Sequence, residues 1–414
     1  MSSLQPIRGT HDLLAEEQRL HRRVCETAYD IALRYGYQEI STPIFEATDV
    51  FARTLGETSD IVTKEMYTFE DRNGDSITLR PEYTAGIARM LMSNGLYNSL
   101  PLKTFARGPM FRRERPQKGR QRQFHQIDVE ILGVPGPQAD IEVIALGAHI
   151  LKALGLDADI KLELNSLGDS ESRQTYRAQL VDYFSGHRDQ LSEESLLRLE
   201  KNPLRILDSK DRGDREVVAG APLLEGSLNS LSEDFFAAVK EGLGAIGIEY
   251  ELNPHLVRGM DYYCHTAFEF TTTTLGAQGA VLAGGRYDGL VETMGGTPTP
   301  GIGWAAGVER LAMMVGDAPS DARPIVVVPV GGEAAEMALK ITQQLRHCEF
   351  TVDLGFSGNV KKRLIRANKA NAIAAILLGE DELAKGVATI RDMESGEQTE
   401  VPLTSLEEHL SRYR

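Results

Sequence analysis

Apolar residues recur at helical spacing over residues 17–35, where Leu20, Val24 and Ala28 share one face. This spacing predicts an amphipathic helix. The same pattern predicts a second helix over residues 139–156.

Apolar and polar residues alternate on both sides of Asn73-Gly74, a dipeptide typical of tight turns. We therefore predict a β-hairpin over residues 65–82. Residues 160–164 alternate in the same way and predict a half-buried strand. Strand-like segments rich in glycine run from about residue 250 to residue 307.

Changes in composition and in the pattern of apolar and polar residues divide the chain into four predicted parts. Residues 1–169 and 229–320 mix helices and strands, and residues 170–228 form a polar, charge-rich helical insertion between them. A linker at residues 317–324 leads into residues 324–414, where buried strands such as PIVVVPV alternate with helices. This last part predicts a small α/β domain with a parallel or mixed sheet.

Composition narrows the class of protein. The chain has 414 residues, 42 % hydrophobic and 25 % charged, as expected of a globular protein of more than one domain. No apolar run is long enough for a membrane span, and the N-terminus does not resemble a signal peptide. Three dispersed cysteines and the absence of CxxC or HExxH predict a reducing cytoplasm and no zinc site.

A basic block stands out because the formal net charge of the chain is −15. Residues 103–122 contain eight lysines or arginines and one acidic residue, Glu114. A solvated surface loop is one interpretation. Pro116 and Gly119 favour a loop between strands, and guanidinium groups bind phosphate through two hydrogen bonds at once. The block therefore suits a polyphosphate or a nucleic-acid backbone.

Three glycine-rich segments carry candidate chemistry. GIGWAAGVER (residues 301–310) only weakly indicates dinucleotide binding, and a strand, glycine turn and helix with Arg310 facing inward is the alternative. LVRGMDYY (residues 256–263) and AGGRYDGL (residues 283–290) combine glycine with Arg, Tyr and Asp. Glycine allows close approach of a ligand, while hydroxyls and carboxylates bind its polar groups.

Together these segments resemble the class II aminoacyl-tRNA synthetases, and among them the histidyl-tRNA synthetase family. RPQKGRQRQFHQ (residues 115–126) resembles motif 2 of the class, GIGWAAGVER resembles motif 3, and Pro43 resembles the motif 1 proline at the dimer interface. LVRGMDYY and AGGRYDGL look like the two signatures of the histidine family. The resemblance covers nearly the whole chain.

The resemblance implies an α+β fold: an antiparallel sheet flanked by helices, a helical insertion and a C-terminal α/β anticodon-binding domain. It implies a cytoplasmic homodimer without a membrane association. Its substrates would be L-histidine, ATP with Mg²⁺, and tRNA. Histidine would be activated to histidyl-adenylate and transferred to the 3′ terminal adenosine of its tRNA.

Site residues follow from the resemblance position by position. Arg112 and Arg258 would be catalytic, Arg112 at the α-phosphate and Arg258 in place of a metal used by related enzymes. ATP would also contact Arg120 and Arg310, the latter at the γ-phosphate. Histidine would bind to Glu82, Thr84, Gln126, Glu130, Tyr262, Tyr263 and Tyr287. Candidate tRNA contacts are Arg115, Gln117, Lys362 and Arg366, and no resident metal site is expected.

Three positions depart from the pattern of the family. Tyr83 stands where glycine is common, Gln121 where tyrosine is usual, and Asp128 in place of a glycine. A rival hypothesis is a non-catalytic regulatory subunit of ATP phosphoribosyltransferase, a paralogue that binds histidine. That paralogue typically lacks the C-terminal domain, which this chain keeps together with Arg112, Arg258 and Arg310.

Overall fold

The structure is a computed structural model that describes residues 4–56, 61–207, 209, 211–257, 260, 262–276 and 279–413. The chain divides into two compact units, residues 1–319 and residues 320–414, which are treated separately. No helix in these described ranges is both long enough and apolar enough to cross a membrane.

The first unit alternates helices and strands along the chain. Its helices are α1 (Ala15–Arg34), α2 (Thr48–Leu55), α3 (Thr84–Ser93), α4 (Gln138–Ala153), α5 (Ser170–Ser185), α6 (Glu193–Lys201), α7 (Arg212–Val218), α8 (Ser230–Ala245), α9 (Leu290–Thr293) and α10 (Val308–Met314). Its strands are β1 (Gln38–Ile40), β2 (Phe45–Ala47), β3 (Tyr67–Glu70), β4 (Ser76–Leu79), β5 (Leu102–Phe111), β6 (Gln123–Leu132), β7 (Lys161–Ser166), β8 (Glu251–Leu252), β9 (Cys264–Thr271), β10 (Ala280–Arg286) and β11 (Gly301–Gly307).

The main sheet of this unit has the strand order β1-β5-β6-β11-β10-β9-β7-β8 in the described residues. Its six central strands are antiparallel, while β1 and β8 pair in parallel at the two edges. Helices α1 and α4 cover one face, because their apolar stripes join the core beneath the sheet. The antiparallel sheet flanked by helices is confirmed.

The predicted helix at residues 17–35 is α1, and Val24, Ala28 and Ile31 on it are at most 3 % exposed. The predicted hairpin is β3 paired with β4. Its connection is longer than a tight Asn-Gly turn, because Glu70 pairs with Ser76. Inside the loop the Asp71 carboxylate accepts the backbone N–H groups of residues 73 and 75 and shapes the turn instead.

Helices α5 to α7 lie in the segment predicted to be an insertion. They share a small apolar core that includes Tyr176, Leu180 and Phe184, separate from the core beneath the main sheet. The buried Asp214 carboxylate accepts hydroxyl hydrogen bonds from Ser192, Ser195 and Ser209, so its charge is satisfied within the segment.

The second unit is a mixed sheet with helices. Its elements are β12 (Ile325–Pro329), α11 (Glu333–His347), β13 (Val352–Leu354), α12 (Val360–Lys369), β14 (Ala374–Leu378), α13 (Glu380–Lys385), β15 (Val387–Asp392), β16 (Gln398–Pro402) and α14 (Leu406–Leu410). The strand order is β13-β12-β14-β15-β16, parallel at β13, β12 and β14 and antiparallel beyond. Every residue of β12 is buried, as its continuous apolar run predicts.

Helix α12 carries the basic segment of this unit, and its apolar face is narrower than the sequence predicts. The sequence predicts that Leu364, Ile365 and Ala367 all pack inward. Ala367 is 2 % exposed, whereas Ile365 is 49 % exposed. The prediction for Ile365 is wrong because the helix places that position away from the sheet, between the basic side chains.

Candidate active site

A pocket opens over the central strands of the main sheet, above β6 and β11 and beside the first turn of α3. It gathers all the residues proposed for histidine, although they come from distant parts of the chain. The lining includes Glu82, Thr84, Gln126, Glu130, Tyr262, Tyr263 and Tyr287, and also Arg112, Arg120 and Arg310. Of the predicted catalytic residues, Arg258 lies outside the described residues, so its position is not described.

Strand β6 supplies one wall of the pocket. Because successive side chains of a strand point to opposite faces, Gln126, Asp128 and Glu130 line the pocket while Ile127 and Val129 enter the core. The three polar side chains are at most 9 % exposed. A row of buried polar groups of this kind needs hydrogen-bonding partners, from the protein or from a ligand.

Glu130 is held from both sides. Its Oε1 accepts a hydrogen bond from the Thr84 hydroxyl at 2.6 Å, and its Oε2 accepts one from the Tyr287 hydroxyl at 2.5 Å. Burial raises the pKa of Glu130 to about 8, although both hydroxyls act to lower it. A carboxyl group in this state can exchange a proton near neutral pH when a cationic ligand arrives.

Glycines make room for this arrangement. A Cβ on Gly303 would overlap the Glu130 carboxylate, and a Cβ on Gly301 would overlap the Tyr287 ring. The segment GIGWAAG is itself strand β11, followed directly by α10, so the glycine turn considered from the sequence is not formed. Its glycines serve close side-chain approach within a sheet and not a nucleotide-binding turn.

Glu82 has a structural task as well as a place in the pocket. Its carboxylate accepts the backbone N–H groups of Thr84 and Ala85, both at 2.8 Å, at the start of α3. These donors are the unsatisfied amides of a helix N-terminus, which favours a negative charge there. Burial nevertheless raises the pKa of Glu82.

Arginines also line the pocket. The loop between β5 and β6 carries Arg112, whose Nε donates to the Pro81 carbonyl at 2.9 Å and whose guanidinium lies 5.2 Å from the Phe124 ring centre. Arg120 pairs with Glu114 at 3.1 Å. Arg310 on α10 donates to the Gly119 carbonyl at 3.2 Å, so the loop and the helix meet at this cation.

The residues proposed for tRNA lie outside the pocket. Arg115 and Gln117 are exposed on the loop after β5, where the backbone amides of Gln117 and Arg120 each donate to the other residue's carbonyl in a tight turn. Lys362 and Arg366 are exposed on α12 of the second unit, where Arg366 also donates to the Ser357 carbonyl at 2.7 Å. Both sets are accessible to a large partner.

Comparison with known proteins shows which family the chain belongs to. A family model described as histidyl-tRNA synthetase matches residues 9–311, and one described as anticodon binding domain matches residues 324–413. The chain is 61 % identical over 414 residues to a histidine–tRNA ligase of Rhodospirillum rubrum, and 55 % identical to one of Gluconobacter oxydans, covering each protein completely. The chain belongs to the histidyl-tRNA synthetase family.

Solved structures of this family agree with the fold. The apo histidyl-tRNA synthetase of S. aureus matches with a TM-score of 0.82 and 33 % identity, over 98 % of this chain and 99 % of that one. A Bacillus halodurans protein titled ATP phosphoribosyltransferase regulatory subunit/histidyl-tRNA synthetase matches at 22 % identity and a TM-score of 0.65, which shows the shared fold alone. The regulatory-subunit alternative is not favoured, because the full-length relatives above are ligases.

The structure locates two of the residues that depart from the family pattern. Tyr83 does not narrow the pocket: it is fully buried in the neighbouring core, with the Arg80 guanidinium 4.4 Å from its ring centre. Asp128, in contrast, lines the pocket, is 1 % exposed, and its Oδ1 has no hydrogen-bond partner in the described part of the chain. The sequence flagged Asp128 as a departure but did not predict it as a site residue.

Another signature residue proves structural. Arg286 of AGGRYDGL is fully buried and pairs with the equally buried Asp140 of α4, and it also donates to the Val134 carbonyl at 3.0 Å. The arginine therefore ties β10 to the start of α4 beneath the pocket. Its neighbour Tyr287 lines the pocket, where its hydroxyl donates to Glu130. Sequence alone does not separate these two roles, because both residues lie in the same glycine-rich segment.

Proposed function

We propose that this chain activates histidine with ATP and transfers the histidyl group to the 3′ terminal adenosine of its tRNA. The observation that carries the proposal is one pocket with two chemically different sides. Glu82, Glu130 and the tyrosines form an acidic, hydrogen-bonding side, and Arg112, Arg120 and Arg310 form a cationic side. An amino acid with a basic side chain and a polyphosphate fit these sides respectively.

The chemistry of activation requires the cationic side. The histidine carboxylate attacks the α-phosphorus of ATP, a bond to the bridging oxygen breaks, and pyrophosphate leaves. Two anions must approach, and fixed positive charges offset the developing negative charge. We assign Arg112 to the α-phosphate and Arg310 to the γ-phosphate, with Arg120 beside them. Mg²⁺ enters with ATP as part of the substrate, since it prefers phosphate and water oxygens.

Arg258 keeps its proposed catalytic role on the resemblance alone. Its signature otherwise contributes Asp261, also outside the described residues, and the aromatic pair Tyr262 and Tyr263. We assign the Arg258 guanidinium to the reacting phosphoryl group, together with Arg112.

Histidine recognition follows from the acidic side. We assign the ammonium group to Glu82, Thr84 and Gln126, and the imidazole to Glu130 with Tyr262, Tyr263 and Tyr287. An analogue without ring nitrogens would leave Glu130 buried without its intended partner, which costs more than the lost contact itself. Discrimination against other amino acids therefore arises from unsatisfied polar groups of the site.

The reaction class has a direct test. Histidine-dependent exchange of labelled pyrophosphate into ATP should occur with histidine and not with the other standard amino acids. Exchange with another amino acid at a comparable rate would contradict the assignment of the acidic side. Absence of exchange, together with tight histidine binding, would favour the regulatory-subunit alternative.

Asp128 gives a prediction specific to this chain. A buried carboxylate oxygen without a partner costs free energy in the empty pocket, so a cationic group of the ligand is its natural partner. Asp128→Asn should raise the KM for histidine about tenfold or more, the loss of one charge-assisted hydrogen bond, and leave the KM for ATP nearly unchanged. Steady-state exchange kinetics measure both, and an unchanged KM for histidine would exclude Asp128 from the ligand contacts.

The second unit is proposed to bind the anticodon stem and loop of tRNA. On α12, Lys361, Lys362, Arg366 and Lys369 are exposed, and such side chains hold a phosphate backbone while neighbouring groups read unpaired bases. The boundaries at residues 169, 228 and 324 remain predictions, and so does the role of Arg115 and Gln117 at the acceptor end of tRNA. A cytoplasmic location also remains a prediction from the sequence.

Deleting residues 320–414 should separate the two steps of the reaction. We expect histidine-dependent pyrophosphate exchange to persist, because every described pocket residue lies in the first unit. Charging of tRNA should fall far more, by about 10³-fold or greater if several phosphate contacts are lost. Anticodon substitutions should affect the full chain and have little effect on the truncated one. An equal response of both proteins would show that this unit does not read the anticodon.

A homodimer with the Pro43 region at the interface is the last element of the proposal. Ile44 and Phe45, next to Pro43, are 45 % and 58 % exposed, an apolar surface that a second copy can cover. Light scattering at micromolar concentration should give twice the mass of the chain. Phe45→Glu should shift the protein toward the monomer, with Phe356→Glu as a control at an exposed apolar residue of the other unit. A fully active wild-type monomer would refute the dimer.

A further inference from the structure

Two histidines and a glutamate from separate elements meet beside the active-site pocket. They are His21 on α1, His125 near the start of β6 and Glu309 on α10, and one potential ligand atom from each lies within 4.8 Å of the others. We propose that these three side chains bind a divalent transition-metal ion of the zinc, cobalt and nickel class.

Two of the candidate ligands already contact each other through a hydrogen bond, slightly closer than two ligands of one ion would lie. His125 Nδ1 lies 2.9 Å from Glu309 Oε1, and the His21 and His125 rings meet edge to face with centres 5.4 Å apart. Metal bonds of about 2.0–2.2 Å place neighbouring ligand atoms about 3–3.5 Å apart. A side-chain rotation of His21 that moves its nitrogen by about 1–2 Å closes the triangle around an ion.

The surroundings hold the carboxylate in place for this task. The backbone N–H of His125 is shared by both oxygens of the Glu309 carboxylate, at 2.9 Å from Oε1 and 3.0 Å from Oε2, which fixes the carboxylate beside the two rings. Outer hydrogen bonds of this kind orient metal ligands. The side chains of His125 and Glu309 are 28 % and 14 % exposed, which leaves an entry path and positions for water.

The ligand set selects the class of ion. Imidazole nitrogen favours zinc, cobalt and nickel over Mg²⁺, which requires oxygen ligands. Cys25 follows His21 by one helical turn, but it is not among the side chains whose potential ligand atoms meet here. The site is therefore a three-residue site with open positions, not a closed structural zinc site.

Occupancy would connect three elements of the first unit. Helix α1 carries His21, and the other two ligands belong to the segments that resemble motifs 2 and 3, next to Arg310. An ion bound only by the folded state raises the free energy of unfolding by mass action. The absence of CxxC and HExxH in the sequence does not exclude this site, because its ligands are far apart in the chain and only folding brings them together.

The test is a calorimetric titration of chelator-treated full-length protein with ZnCl₂, with cobalt absorption bands as a second probe. We expect one ion per chain and a higher unfolding temperature with zinc. His21→Gln should weaken binding at least about tenfold and abolish the thermal shift. The substitution should leave pyrophosphate exchange unchanged in a buffer that contains MgATP but no transition-metal ion, because His21 does not line the pocket.

A matched control removes a different histidine of the same unit. His149 on α4 lies 3.3 Å from the Tyr35 hydroxyl, outside the cluster, so His149→Gln should bind zinc like the wild type. His125→Gln is a second variant of the site, assayed for zinc binding alone, and it tests the proposal if His21→Gln does not fold. Equal zinc affinity in the wild type and a folded His21→Gln or His125→Gln variant would overturn the proposal. No binding to the wild type at 100 µM zinc, about a hundredfold above a micromolar Kd, would overturn it as well.

Discussion

Replacing Arg112 with alanine should lower histidine-dependent pyrophosphate exchange by about 10²–10³-fold, the usual cost of removing one preorganised charge-stabilising group. The guanidinium is preorganised here because the Pro81 carbonyl accepts its Nε–H and the Phe124 ring lies beside it. The loss should appear in kcat more than in the KM for ATP, since the contact strengthens as charge develops.

Arg113→Ala is the matched control for this loss. Arg113 is the next residue of the same loop and is exposed, and its substitution removes the same formal charge. It should change exchange only slightly, with a stronger effect at low ionic strength. If both variants lose the same activity, the role of Arg112 is general attraction of ATP and not stabilisation of the reacting phosphate. Arg112→Lys should remain impaired, because a lysine cannot reproduce the planar fork.

Replacing Glu130 with glutamine should raise the KM for histidine by about 10- to 100-fold, the cost of one charge-assisted hydrogen bond in a buried site. The KM for ATP should change little. Glutamine has nearly the same shape, so Thr84 and Tyr287 can still make hydrogen bonds to it. Glu163→Gln is the control, since that carboxylate also accepts side-chain hydrogen bonds on the same sheet, at β7, but lies outside the pocket. Unchanged histidine kinetics would refute the role of Glu130.

The pKa of Glu130 makes this prediction sensitive to pH. It is raised from 4.5 to about 8 in the ligand-free protein, so the folded state holds the proton more tightly than the unfolded state. The associated stability is fully present below pH 4.5 and is lost as pH rises toward 8. The unfolding temperature of ligand-free Glu130→Gln should therefore rise relative to that of the wild type as the pH is raised from 5 to 8. A difference that stays constant across this range would contradict the raised pKa.

Histidine binding should also release protons near neutral pH. The ligand brings a positive ammonium group into the pocket, and a nearby positive charge favours the ionised carboxylate. Calorimetric titrations in buffers of different ionisation enthalpy measure the number of protons released. That number should be smaller for Glu130→Gln. Glu82 and Asp128 also have a pKa raised by burial, so some release should remain in the variant.

Local patterns in the sequence predicted local structure well. The apolar stripe at residues 17–35 became α1, the alternation at residues 160–164 became part of β7, and the run PIVVVPV became the buried strand β12. The first two of these elements are decided by periodicity, because one period matches only one kind of backbone, and the third by a short continuous apolar run typical of a buried strand. The basic block after β5 was likewise recognised, since its charge and its glycine and proline are read directly from the residues.

Predictions failed where the conformation or burial of a residue depends on the neighbouring side chains. GIGWAAG suggested a glycine turn between a strand and a helix, yet the whole segment is strand β11, whose glycines let Glu130 and Tyr287 approach. Asn73-Gly74 suggested a tight turn, but the Asp71 carboxylate set a longer one. Ile365 was expected to be buried from its apolar character, whereas the rotation of α12 leaves it exposed.

The sequence by itself determined the family, the order of helices and strands, and which residues have the chemistry to bind histidine and phosphate. Only the tertiary structure decided which of them share one space. It placed Asp128 among the pocket residues, Tyr83 and Arg286 outside it, and His21 against His125 and Glu309. The physical reason is that charge and hydrogen-bonding capacity belong to a residue, whereas burial and distance depend on segments far apart in the chain that only the packed sheet brings together.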